Sequence, residues 1–108
     1  MGFQRICSLD KLWEGEMQAY AIGTVDVLIV NAETGIVRAF NAYCPHQDSP
    51  LADGTLDGKI LTCAAHLWQF DVETGQGVNP TGCRLKEYPV RIEGDEIFVD
   101  VEAPAPVR

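Results

Sequence analysis

Residues 43–71 read YCPHQDSPLADGTLDGKILTCAAHLWQFD, and the two ends of this stretch hold the chemistry of the chain. Near one end lies Cys44-Pro45-His46, and near the other Cys63-Ala64-Ala65-His66. Sixteen residues separate His46 from Cys63, and these are the only two histidines in the sequence. Pro45, Pro50, Gly54 and Gly58 break any periodicity, so residues 43–58 read as loop. Residues 59–63 and 67–72 are short apolar runs that read as strands on either side of a tight turn. Each Cys/His pair therefore falls where a strand gives way to a loop.

Outward from this stretch the pattern stays one of strands and turns. Residues 3–7 read as a first strand, followed by a single helical turn over residues 8–12 capped by Ser8. Glu16 to Ile22 and residues 25–32 read as strands. The second is almost unbroken Val-Leu-Ile-Val, the signature of a strand buried on both faces. A turn at Glu33-Thr34-Gly35 joins it to a strand over residues 36–42. Residues 75–82 carry Gly75, Gly77, Pro80 and Gly82 and read as loop. Residues 88–93 and 96–101 form a last hairpin around Gly94-Asp95, and the tail APAPVR reads as unstructured. No helix longer than about two turns is foreseen by the periodicity test. The class is all-β, with loop insertions in the middle third.

Composition narrows the function. The chain has 108 residues, 46% of them hydrophobic, enough for one small domain with a thin core. Eight Lys+Arg against sixteen Asp+Glu give a net charge of −8. That balance argues against nucleic acid and against an anionic membrane, both of which need clustered cations. It suits docking on a basic patch of a partner, as well as simple solubility. No apolar run approaches the roughly 20 residues that span a bilayer. MGFQRICSLD contains no apolar core of a secretory signal, so the chain reads as cytoplasmic. There, four cysteines point to metal or reduced thiols more than to disulfides.

A Cys and a His two or three residues apart on a tight loop can point to one side without binding the same ion. Two such loops could place Cys44 and Cys63 on one iron and His46 and His66 on another. Two imidazoles replacing two thiolates on one iron defines the Rieske type of [2Fe–2S] centre, with potentials of about −150 to +300 mV against about −400 mV for four thiolates. The His-bound iron carries less negative charge and is the easier to reduce. A Cys₂His₂ zinc site is the competing reading, although the order Cys, His, Cys, His departs from the usual Cys-Cys-His-His arrangement. A third reading has buried cysteines beside surface histidines. A Cys/His nucleophile would need a cleft and an orienting partner, and the sequence signals neither. Cys7 and Cys83 read as small packed thiols rather than as ligands.

The C-P-H-Q and C-x-x-H-x-W-x-F-D segments resemble the Rieske ferredoxins, over nearly the whole chain. The runs Phe3–Asp10 and Leu12–Met17, Ala65-His66-Leu67-Trp68 and Gly77-Val78-Asn79-Pro80 are similar to one subgroup, the ferredoxin subunit of bacterial toluene-type aromatic monooxygenases. The resemblance implies a Rieske fold of stacked antiparallel sheets in a single domain over residues 1–108. Its cluster-binding part would span about 43–83, its base 1–42 and 84–103, and a flexible tail 104–108. It implies one [2Fe–2S] cluster held by Cys44, His46, Cys63 and His66, with the segment around Pro80 covering it. It implies a monomeric one-electron carrier, not an enzyme, between an NADH-dependent flavoprotein reductase and a diiron hydroxylase. The alternatives are the ferredoxin of a Rieske aromatic-ring dioxygenase, or the small Rieske subunit of a nitrite reductase. High-potential relatives carry an extra disulfide and a Ser and Tyr that bond to sulfur. Ser49, Ala65, Trp68 and Phe70 stand at those positions here, which implies a potential in the lower part of the range. Phe70 is expected to pack in the core. For Trp68, shielding the cluster and forming part of a docking face are equally open.

Overall fold

The computed structural model describes residues 2–32, 36–44, 49–64, 67–79 and 81–102. The strands among them are β1 (Gln4–Ser8), β2 (Glu16–Ile22), β3 (Val25–Asn31), β4 (Val37–Asn41), β5 (Thr55–Asp57), β6 (Ile60–Thr62), β7 (Gln69–Asp71), β8 (Gly77–Asn79), β9 (Glu87–Tyr88), β10 (Val90–Glu93) and β11 (Glu96–Val99). Single 3₁₀ turns occupy Leu9–Lys11 and Leu51–Asp53. Three antiparallel sheets result, ordered β1-β11-β10, β2-β3-β4-β9 and β5-β6-β7-β8. The all-β class holds.

β3 explains the stacking. Successive side chains of a strand point to opposite faces. Val27 and Ile29 enter one core with Cys7, Leu12, Ala39 and Ile97. Leu28 and Val30 enter another with Phe40, Cys44, Leu61, Cys63 and Phe70. All four β3 residues are fully buried, as the unbroken apolar run required. β4 repeats the division, Ala39 to the first core and Phe40 to the second. The middle sheet is thus a shared wall with a core on each side. Phe40 and Phe70 lose all solvent contact on the side of the two site cysteines, each stabilising that core by about 1.5–3 kcal/mol relative to exposure.

Several expectations need correction. Residues 55–57 and 77–79, read as loop, are strands β5 and β8. Each is three residues long, too short to show a period, and forms because β6 and β7 supply ladder partners. Residues 88–93 are not one strand. Glu87–Tyr88 pairs with β4 in the middle sheet, and Val90–Glu93 pairs with β11 in another. Pro89, with no N–H for a ladder, stands at the crossing. Ser8 does occupy the cap position of the first turn but makes no side-chain cap bond. Its hydroxyl donates instead to the Asp10 carboxylate, which lowers the Asp10 pKa. The turn at 33–35 and the tail at 104–108 lie outside the described residues.

Candidate metal centre

Cys44 and Cys63 lie in one core, 2% and 0% exposed. Neither belongs to a disulfide. Cys44 follows β4 and Cys63 follows β6, the strand-to-loop transitions that the sequence indicated.

The two loops close in the same way. The Cys44 N–H donates to the Ser49 carbonyl at 2.9 Å, and the Cys63 N–H donates to the Trp68 carbonyl at 2.7 Å. Both closures span five residues. Each loop is pinned again beside its closure, by the Tyr43–Pro50 bridge in one and by the Thr62–Gln69 pair in the other. In the second loop the Leu67 N–H also donates to the Cys63 carbonyl at 3.0 Å. The sequence places a histidine inside each loop, His46 two residues after Cys44 and His66 three after Cys63. Both histidines lie outside the described residues, as does Pro80.

The segment after the first loop fastens one mouth to the other. The Leu51 N–H donates to the Ala42 carbonyl at 2.8 Å, and the fully buried Leu51 side chain joins the core of both thiols. The chain then turns, and Gly54 meets β6 at Thr62, one residue before Cys63. A Cβ added at Gly54 would collide with the Thr62 carbonyl oxygen and lie 3.2 Å from that of Leu51. Gly54 is therefore required for close approach, at a negative φ of −84°. The sequence marked it only as a loop breaker.

Phe70 is fully buried, as expected, and Trp68 is half-buried against the same core. Near the expected third segment, the Gly77 N–H donates to the Cys83 carbonyl at 2.7 Å. Cys83 is half-buried against the core of the site and borders a cavity of about 310 Å³, with Gln76, Gly77, Thr81, Gly82 and Arg84. Cys7 is buried in the other core, across the middle sheet. Its thiol shares a hydrogen bond with Tyr20, and burial first, then this bond, raises the Tyr20 pKa to about 12.

Two thiols outside any disulfide, each at the mouth of an identically closed loop that contains a histidine, suit a centre with two thiolate and two imidazole ligands. The Cys₂His₂ zinc alternative uses the same donors. Comparison with known proteins separates the two. The sequence model of the Rieske [2Fe–2S] domain matches residues 2–89. The chain is 43% identical over 99 residues to the ferredoxin component of an alkene monooxygenase system from Xanthobacter autotrophicus, covering 90% of this chain and 80% of that one. It is 36% identical to a biphenyl dioxygenase ferredoxin subunit of a Pseudomonas species, over 97% of each chain. Among solved structures, the ferredoxin of carbazole 1,9a-dioxygenase from Nocardioides aromaticivorans superposes with a TM-score of 0.81 at 28% identity, covering 96% of this chain and 99% of that one.

Proposed function

The chain belongs to the Rieske [2Fe–2S] domain family, whose cofactor is one such cluster, and on that premise we propose that Cys44, Cys63, His46 and His66 hold it. The two thiols would take one iron and the two imidazoles the other. The matched closures, Cys44 to Ser49 and Cys63 to Trp68, carry the reading. They fix both cysteines at loop mouths over one buried core. When bound, the cluster accepts and releases one electron at a time.

The protein is an electron carrier, not an enzyme. It would take single electrons from an NADH-dependent flavoprotein reductase and deliver them to the diiron hydroxylase of a multicomponent hydrocarbon monooxygenase. Likeness to a monooxygenase ferredoxin component, closer in identity than that to the dioxygenase subunit, favours this partner. On this reading the hydroxylase, not the carrier, selects the hydrocarbon, aromatic or alkene. Among the described residues no helix is long and apolar enough to cross a membrane. A monomer working in the cytoplasm fits this role. A second reading, the ferredoxin of an aromatic-ring dioxygenase, draws on the biphenyl relative.

The test is anaerobic purification followed by reconstitution. Iron and inorganic sulfide should appear in equal amounts, with a visible spectrum that bleaches on reduction. NADH consumption coupled to product should require reductase, carrier and diiron hydroxylase together. A colourless protein with zinc rejects the ligand proposal. A coloured protein that serves only a dioxygenase selects the second reading.

A further inference from the structure

Tyr43 stands one residue before Cys44, is 38% exposed, and has its ring in neither core. Polar bonds set its place instead. The hydroxyl donates to the Asp26 carboxylate at 2.7 Å, and the N–H donates to the Asn41 side-chain oxygen at 3.1 Å. A hydrogen bond to an ionised acceptor is roughly twice as strong as a neutral one. Asp26 is the one carboxylate of β3 and lies just beyond the pairing with β4, which ends at Val27 and Asn41. It takes a second bond from the same segment, because its carbonyl accepts from the Ala42 N–H at 3.0 Å. Asn41 is held in turn, its amide nitrogen donating to the Tyr88 hydroxyl at 3.2 Å. Asp26 therefore grips both residues between the end of β4 and Cys44, Ala42 through the main chain and Tyr43 through the side chain.

We propose that Asp26 and Tyr43 are positioning residues for the Cys44 thiolate. Their bond locks the approach to Cys44 onto β3, so that the thiolate keeps one orientation toward the iron it binds. This rests on the ligand reading above. Groups outside a ligand set orient the ligands and tune the centre. The carboxylate acts here through the hydroxyl that it accepts from, and its charge is secondary.

Three variants of the purified holoprotein separate the bond from the charge. Tyr43→Phe keeps the ring and removes the donor. Asp26→Ala removes the acceptor. Asp26→Asn keeps an oxygen that can accept and removes the charge. Iron release to a chelator proceeds through an opened loop, so losing one hydrogen bond should speed it about fivefold in Tyr43→Phe and in Asp26→Ala. The double variant should be no faster than either, because both changes break the same bond. Resonance Raman bands of the iron–thiolate stretch should shift in both, and Asp26→Asn should leave them in place with release within about twofold of the parent. Unchanged bands and release in Tyr43→Phe overturn the proposal. Faster release with unmoved bands makes the pair a structural prop and also overturns it. Asp26→Asn behaving like Asp26→Ala shows that charge is the agent and overturns it too. A parent with no iron–thiolate bands rejects the ligand reading, and the proposal falls with it, a result distinct from unaffected variants of a loaded parent.

Discussion

Gly54 lies so close to the carbonyl of Thr62 that a single methyl group at position 54 would overlap it. The contact joins the segment behind the Cys44 loop to the base of the Cys63 loop. Gly54→Ala should therefore separate the loop mouths, since backbone on both sides leaves no flexible atom to yield. Overpacking of this kind costs about 1–3 kcal/mol. In a domain of this size each kcal/mol corresponds to roughly 4–8 °C of melting temperature. A thermal melt followed by circular dichroism should show that fall, together with reduced iron content. A melt equal to the parent's would mean that the approach is looser than described.

Cys44 and Cys63 should behave differently from Cys7. Cys44→Ser and Cys63→Ser should each abolish bound iron and inorganic sulfide, and so should replacement of His46 or His66 by Ala. Cys7→Ala should keep both, because Cys7 lies in the core on the far side of the middle sheet. Iron and sulfide assays on the purified variants check the division. Full cluster content in Cys63→Ser would refute the ligand set.

Tyr20 offers a readout of the opposite core. Its pKa is raised to about 12, by burial and then by the bond to Cys7. An unfolded tyrosine ionises near pH 10. Between about 10 and 12 the unfolded chain releases a proton that the folded chain keeps. The stabilising contribution is therefore complete below pH 10 and disappears as pH rises through 12. One tyrosine should titrate late in the ultraviolet spectrum, and Tyr20→Phe should flatten the alkaline loss of stability above pH 10. A Tyr20→Phe melt that declines as steeply as the parent's would contradict this.

Two ion pairs should rank against their distances. Arg91 and Glu93 approach to 2.7 Å, with both side chains more than half exposed. Arg38 and Glu87 are 4.0 Å apart, but Glu87 is 3% exposed and Arg38 23%. Glu87 also sits under the turn at Gly75, 3.7 Å from where a Cβ would be. Glu93→Ala should cost less than about 1 kcal/mol, as exposed pairs do. Glu87→Ala leaves a largely buried guanidinium without this carboxylate and should cost roughly 1–3 kcal/mol. Urea denaturation of both variants measures the order, and a larger loss for Glu93→Ala would reverse it.

Electron delivery should depend on salt. With a net charge of −8, attraction to a basic face on the proposed partner would raise the encounter rate, and ions would screen it beyond about 10 Å at 0.1 M. Stopped-flow oxidation of the reduced carrier by the hydroxylase should slow steadily as sodium chloride rises. A rate that climbs with salt would indicate an apolar or like-charged encounter.

Legibility from sequence followed the length of each signal. β2 matches its expected bounds, and β3 and β4 lie within one residue of theirs at each end, because their apolar runs are long enough to show a pattern. β5 and β8 were hidden because three residues beside Gly and Asp carry no period and take their strand form from neighbours distant in sequence. The change of sheet at Pro89 was also hidden, since apolar residues flank it on both sides. At the site, Cys44 and Cys63 were legible from spacing, and both lie in one buried core. His46 and His66 lie outside the described residues, so the full ligand set stands as a proposal. The role of Gly54 was invisible, because a glycine kept for close approach looks in sequence like one kept for a turn.

The division of β3, with Val27 and Ile29 facing one way and Leu28 and Val30 the other, makes the protein mutationally modular. Repacking around Ile97 and Leu12 can raise thermal tolerance while the residues around Phe40 and Phe70 stay untouched. A chassis of that kind could be hardened for use with a foreign oxygenase without retuning its redox end.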